Sequence, residues 1–215
     1  MLRPDYPIRT ERLLLRPLTA ADLDAMHAYK SQPDVVRYVP YDALTRDEVA
    51  ERIAGRWAPT ELTTPGQAMT LGIEEQHTGR LVGDVVLFWH SAEHRSGEIG
   101  YILSPEATGR GYATEASQAL LRLGFDGLGL HRVIAQVDDR NAASARVLER
   151  LGFRLEAHFR ENKWFKGEWS SLLVYALLDR EWRAAQNPDA SEVMQPGHAH
   201  RMPAWPMPDT RTFDR

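Results

Sequence analysis

Ser104-Pro105-Glu106-Ala107-Thr108-Gly109-Arg110-Gly111-Tyr112-Ala113-Thr114-Glu115-Ala116 is where the chain's residue types and spacing point most directly to chemistry. A β-like run, Glu98-Ile99-Gly100-Tyr101-Ile102-Leu103, feeds a short glycine-bearing loop that opens into an amphipathic helix. The first N–H groups of a helix have no internal partner and point outward, and the helix dipole adds a positive bias. Glycine lets the main chain approach phosphate oxygens where a Cβ would stand in the way. Strand, Gly-x-Gly turn and helix start therefore suit the diphosphate of a cofactor, although the same order of elements also serves as plain connection. A nucleoside-triphosphate loop is excluded because Gly-Lys-Ser/Thr is missing. A Rossmann site is disfavoured: Thr114 stands where a third glycine belongs, and no strand rich in β-branched residues precedes the loop near the N-terminus.

Composition narrows the field. The chain has 215 residues, 43% of them hydrophobic, which suits one cored domain with extensions. A net charge of −4 argues against nucleic acid as a partner. Residues 1–17 mix charge and leucine without a signal-peptide pattern, and no run approaches about 18 apolar residues. The expectation is a cytoplasmic protein with no membrane partner. The absence of cysteine removes disulfides, thiolate metal sites and a cysteine acyl-enzyme.

These residues need a scaffold. Thr10–Leu18 reads as a first strand ending at Pro17, and Thr19 caps a helix that Pro33 stops. A second helix is predicted over Thr45–Trp57, and a hairpin over Ala68–Glu75 and Leu81–Trp89 around His77-Thr78-Gly79. After the strand and glycine loop come a helix over Ala113–Phe125, a strand over His131–Val137 and a helix over Asn141–Leu151. Strands over Phe153–Arg160 and Ser170–Leu178 close the pattern. The fold class is α+β, a mixed sheet flanked by helices. Residues 1–185 form the domain. Residues 186–215, with five of the 13 prolines and no helical or strand period, read as a C-terminal extension that wraps the body or swaps onto a partner, with Trp205 as an anchor. That tail, with exposed sheet edges, makes a homodimer reasonable. The His198-x-His200 pair lacks supporting ligands, so no metal is expected.

Three segments together resemble the GNAT superfamily of acyltransferases, and more narrowly the RimJ/RimL-like group that acetylates ribosomal-protein N-termini. They are Ile8-x-Thr10-Glu11-Arg12-Leu13-x-Leu15-Arg16, the Glu98–Ala116 stretch, and Asn141-x-x-Ser144-x-x-x-Leu148-Glu149-x-x-Gly152-Phe153. The likeness spans residues 8 to 180. It implies a twisted mixed sheet of about seven strands, splayed in the middle to admit acetyl-CoA. Main-chain groups of Tyr101, Ile102 and Leu103 would pair with the pantetheine arm, and Thr108, Gly109, Arg110, Gly111, Tyr112, Ala113 and Thr114 would hold the diphosphate. Arg110 would supply positive charge, Asn141 would bond the arm or phosphate, and Ser144 would sit by the sulfur. Thr108 stands where the family usually has Gln or Arg.

The resemblance also implies direct transfer of the acyl group to a primary amine, on a small molecule or a peptide N-terminus, in a ternary complex. Such transfer needs an unprotonated amine, a donor for the thioester oxygen and a proton for the departing thiolate. The backbone near Ile102 is the expected oxyanion donor. Many relatives carry a tyrosine donor where this chain has Leu148; Ser144, three residues after Asn141, is the replacement. Glu98 is a candidate base, offset by one residue from the glutamate of some relatives, which aligns with Gly97; one residue reverses the face of a strand. Asp84 is its rival, and a water relay is a third route. Glu115 is read as stabilising its helix start. Ser171 replaces an acidic residue of the ribosomal-protein enzymes, while Trp164, Phe165 and Trp169 cluster where the family builds its acceptor cleft, with at least one of them expected in the core. Two other readings stay open: an acyl-CoA-binding or sensing module without chemistry, and a larger donor such as succinyl-CoA.

Overall fold

The computed structural model describes residues 1–186; Trp205, His198, His200 and the rest of the extension beyond Gln186 lie outside them. Period-2 alternation over the β-branched and aromatic runs builds one eight-stranded sheet. Its strands are β1 (Ile8–Arg9), β2 (Leu13–Pro17), β3 (Ala68–Glu75), β4 (Leu81–Ser91), β5 (Ser96–Leu103), β6 (Arg132–Asp138), β7 (Arg154–Phe165) and β8 (Glu168–Leu178). Their order across the sheet is β1-β2-β3-β4-β5-β6-β8-β7. All neighbours are antiparallel except β5 and β6, which are parallel.

The count rises by one over the sequence expectation because the first strand is broken: a turn at Thr10–Arg12 separates β1 from β2, with the Thr10 amide donating to the Leu13 carbonyl. The last two strands are also longer than expected. They run out to a tight turn at Lys166 and Gly167, both in the left-handed region at φ 50° and 83°.

Helices cover the two faces unequally. α1 (Leu23–Lys30), α2 (Pro33–Val36) and α3 (Arg46–Ala54) lie on one face. Pro33 does follow the end of α1, but it also opens α2, because its missing N–H and fixed φ suit a first helical turn. Thr45 caps α3 with a reciprocal pair: the Glu48 amide donates to its hydroxyl and its own amide donates to the Glu48 carboxylate. α4 (Tyr112–Arg122) and α5 (Ala142–Arg150) cover the opposite face. Leu87, Ile99 and Val133 of the sheet pack there with Ala116, Leu120 and Leu148 into the larger core. The smaller core joins Met26, Tyr29, Val49 and Trp57 to Ile102 on the first face. α4 ends in a wider π-type turn over Leu123–Gly127, and a helix absent from the sequence reading, α6 (Asp179–Gln186), buries Trp182 against Phe125. No helix among the described residues is long and apolar enough to cross a membrane.

Candidate functional site

β5 and β6 pair only from Ser96↔Arg132 to Glu98↔Ile134, although β5 continues to Leu103 and β6 to Asp138. Beyond Glu98 the two strands part. On its other edge β5 stays bonded to β4 in a regular register in which Ile102 faces Asp84 and Tyr101 faces Val85. The Ser104 amide donates to the Val82 carbonyl, and bonded pairs in an antiparallel ladder recur every second residue. Ile102 and Gly100 therefore spend their backbone groups on β4, while Tyr101 and Leu103 turn theirs into the gap. Ile102, expected from the sequence to bind the arm and donate to the oxyanion, instead has its backbone taken by β4 and its side chain buried in the smaller core.

The glycine loop lies at the open end of this gap. Gly109 and Gly111 both adopt left-handed conformations, φ 76° and 82°, and Gly111 is the residue at the mouth of α4. With no Cβ at either position, the α4 N-terminus is bare main chain, as an anion cradle requires. A Cβ on Gly111 would also stand 3.4 Å from Arg12 Nη2. Gly111→Ala forces an L side chain into a conformation costing about 1–2 kcal/mol. With CoA, the ligand that the resemblance implies, affinity is expected to fall about tenfold, as read by calorimetry.

Side chains of the loop are already engaged. Thr108 Oγ1 donates to the Pro105 carbonyl at 2.7 Å. Arg110 Nη1 reaches Glu75 Oε1 at 3.0 Å, and the Tyr112 hydroxyl donates to the same oxygen. Arg110 thus brings a charge that a carboxylate already balances. Ala113 and Thr114 contribute the first turn of α4. Glu115 is fastened to the first hairpin: Thr10 Oγ1 and the Arg12 amide donate to it at 2.6 and 2.7 Å, and Arg12 Nε does so at 2.7 Å. Burial pushes the Glu115 carboxyl up, but those donors outweigh it and hold it below the usual carboxylate range.

α5 forms the other wall. Asn141 Oδ1 accepts from the Ser144 amide at 3.1 Å and caps the helix, which leaves its Nδ2 protons as the donors available to a ligand. The Tyr101 hydroxyl donates to the Ser144 carbonyl at 3.0 Å, tying β5 to the first turn of α5 across the gap. Burial pushes the Tyr101 hydroxyl up to about 12, so it stays protonated at neutral pH. The structure thus brings Tyr101, Asn141 and Ser144 together. Leu148 is fully buried and offers no proton there.

Glu98 projects from the face opposite α4 and α5, at the closed end of the gap. Its carboxylate lies 3.1 Å from His90 Nε2 and accepts from Gln136 Nε2 at 3.2 Å. The rings of Phe88 and His90 stack at 6.1 Å beside it. Around Phe88, Glu98, Ile134 and Gln136 this face is half-buried or exposed, whereas near Asp84 the helices α1 and α3 cover it. Three carboxylates point to this face from β4–β6: Asp84, Glu98 and Asp138. Asp84 is paired with Lys30 Nζ at 2.7 Å, and Asp138 with Arg140 Nε at 2.7 Å. Glu98, among the described residues, is held by His90 and Gln136 alone, with no lysine or arginine partner.

Neither His90 nor Gln136 was singled out in the sequence. The usable signal was the eight-residue separation of His90 and Glu98 across a β4–β5 turn. Trp164 and Trp169, by contrast, pack edge to face at 5.4 Å on the β7–β8 hairpin and are 60% and 57% exposed, so neither is a core residue; Phe165 is half-buried. Lys166 at the hairpin tip donates to the carbonyls of Val36 and Tyr41, both at 2.7 Å, and ties the hairpin to the end of α2 and the segment after it. Ser171 Oγ accepts from the Glu161 amide at 3.0 Å within the same hairpin.

Comparison with known proteins agrees with this geometry. The sequence profile described as an acetyltransferase (GNAT) domain matches residues 12–154. The uncharacterized N-acetyltransferase YnaD of Bacillus subtilis (strain 168) is 31% identical over 175 residues, 81% of this chain and 98% of that protein. The crystal structure of a GNAT-family acetyltransferase from Bacillus anthracis superposes with a TM-score of 0.71 at 32% identity, covering 80% of this chain and 98% of that one. A spermidine N-acetyltransferase from Vibrio cholerae, solved with CoA and spermine, shares the fold with a TM-score of 0.68 at 23% identity, covering 81% and 99%. By its parted central strands, its phosphate-type helix start and these matches, the chain belongs to the GNAT acetyltransferase family.

Proposed function

We propose that the protein is an N-acetyltransferase that moves the acetyl group of acetyl-CoA directly to a primary amine. One observation carries the reading: a gap between parallel strands has a bare helix N-terminus at its open end and, at its closed end, a carboxylate with no Lys or Arg partner among the described residues. The residues present fit CoA on their own chemistry, since Tyr101 and Leu103 turn unpaired backbone groups into the gap and two glycines clear the cradle. Acetyl-CoA supplies an activated acyl group.

The remaining work falls to the chain. The amides of Tyr101 and Leu103 bind the arm like an added strand and offer donors to the carbonyl oxygen. α4 and α5 close one face, so the amine reaches the gap from the face bearing Glu98. Glu98 takes the ammonium proton, and the Ser144 hydroxyl donates toward the sulfur. Ser144→Ala is expected to lower kcat about tenfold, equal to about 1.4 kcal/mol, with little change in CoA affinity. An unchanged kcat would remove Ser144 from the reaction.

A succinyl donor is disfavoured because its carboxylate would meet the Phe88 ring and the like charge of Glu98, while the Arg132 guanidinium on the same face is already paired with Glu156. Within the family, the Thr10–Leu13 opening and Ser144 align the chain with the RimJ/RimL-like group, while Ser171 argues for an acceptor other than a ribosomal protein. The test has two stages: CoA binding by calorimetry, then thiol release from acetyl-CoA across a panel of amines and N-terminal peptides. Release with at least one amine is expected. Binding without release would leave a CoA-binding module in place of an enzyme.

A further inference from the structure

Two carboxylates lie beneath a loop built to hold a doubly negative diphosphate, where bare negative charge would weaken binding. Glu115 belongs to the first turn of α4, where a carboxylate suits the helix dipole. Glu75 does not. It comes from the end of β3 and is only 3% exposed. Its Oε1 accepts from Arg110 Nη1 and the Tyr112 hydroxyl, and its Oε2 from Thr78 Oγ1 at 2.8 Å. The Tyr112, Thr78 and Arg110 contacts keep its carboxyl below the usual range and therefore ionised.

Arg110 and Tyr112 are the two residues that flank Gly111. The Tyr112 ring also lies beneath two guanidinium groups, Arg12 at 4.9 Å and Arg110 at 5.7 Å. Arg12 Nη1 donates to the Arg110 carbonyl at 2.9 Å. Two carboxylates and two guanidiniums thus offset each other locally, with His77 Nε2 3.6 Å from Glu75 Oε2 beside them, so the cluster brings little net negative charge to a phosphate. What it adds is rigidity. Gly109 and Gly111 would otherwise leave the loop many conformations, and binding would have to order them.

We propose that Glu75 is a positioning residue for coenzyme A: it anchors Arg110 and Tyr112 so that the main chain at Gly111 is set for the diphosphate before the ligand arrives. The proposal rests on the acyl-CoA reading above. Calorimetry with CoA on the full chain tests it without any acceptor. Glu75→Gln keeps the volume and removes the charge; its CoA dissociation constant is expected to rise about tenfold. In thiol release, the KM for acetyl-CoA should rise by the same factor while kcat at saturation holds. Tyr112→Phe removes one donor to Glu75 and should weaken CoA in the same direction, so it also serves if Glu75→Gln fails to fold. The double variant should lose less than the product of the two single effects.

Unchanged or tighter CoA binding in both single variants would overturn the proposal. So would a fall in melting temperature accompanied by equal losses in kcat and in affinity for both substrates, which is the mark of a merely structural carboxylate. Wild-type protein that takes up no CoA would defeat the acyl-CoA reading itself, a result distinct from wild-type binding that the variants leave unmoved.

Discussion

Glu98→Gln is expected to lower kcat by about a hundredfold, the usual scale for losing a positioned general base, and to leave CoA binding within about twofold of wild type. Gln keeps the size of the side chain and can still bond to His90 and Gln136, so the strand vertex should hold its shape. What it cannot do is accept a proton from an incoming ammonium. The choice of Glu98 follows from charge accounting on one sheet face. Asp84 and Asp138 are tied to Lys30 and Arg140, and a carboxylate already neutralised by a cation is a poor proton acceptor. Stopped-flow or steady-state thiol release at saturating acetyl-CoA reads the effect. A kcat that stays at the wild-type value would return the base to a relay through water.

The second large effect is on stability. Lys30 is 0% exposed and Asp84 only 7%, and their ion pair lies under the smaller core. The ammonium also sits 4.7 Å from the Trp57 ring centroid and donates to the Tyr41 hydroxyl at 3.1 Å. The Tyr29 hydroxyl donates to Asp84 Oδ1 at 2.6 Å, and burial with the Asp84 charge raises that phenol well above its ordinary range, so it remains a donor. Lys30→Ala leaves a buried carboxylate with its counter-charge gone, and is expected to cost about 3–5 kcal/mol in urea unfolding. Lys30→Met with Asp84→Asn removes both charges while keeping an acceptor for Tyr29. It should recover a good part of that loss, because breaking one half of a buried pair costs more than replacing both halves. A Lys30→Ala loss below about 1 kcal/mol, the level of an exposed pair, would mean that water reaches the site.

Much of this architecture is local in origin and was therefore legible in the chain. The strand–glycine–helix order around Gly109 and Gly111, the capping box at Thr45 and Glu48, and the hairpin turn at Gly79 depend on residues a few positions apart. Backbone sterics and short-range hydrogen bonds decide them without help from the rest of the molecule. The same holds for the Asn141–Ser144 cap, and the motif order alone sufficed to suggest the family. Two of the misreadings are local as well: Pro33 both follows one helix and opens another, and a turn interrupts the first strand.

Partnerships across long separations were decided by the tertiary structure. Whether Glu98 or Asp84 keeps a usable negative charge depends on which cations the folded sheet brings near them, and Lys30 and Arg140 come from elements that sequence spacing does not connect to β5. The one-residue offset that left the direction of Glu98 open is resolved by cross-strand register, since Glu98 pairs with Phe88 and Ile134 and so shares a face with His90 and Gln136. Backbone direction followed the same rule, with the ladder to β4 taking Ile102 and leaving Tyr101 and Leu103 for the gap. Arg110, placed by its motif beside the phosphates, proved to be anchored to a carboxylate 35 residues away in the chain. Pattern and spacing encode what a segment does with its own backbone; charge balance and side-chain facing are properties of the assembled sheet, because each depends on what another strand presents.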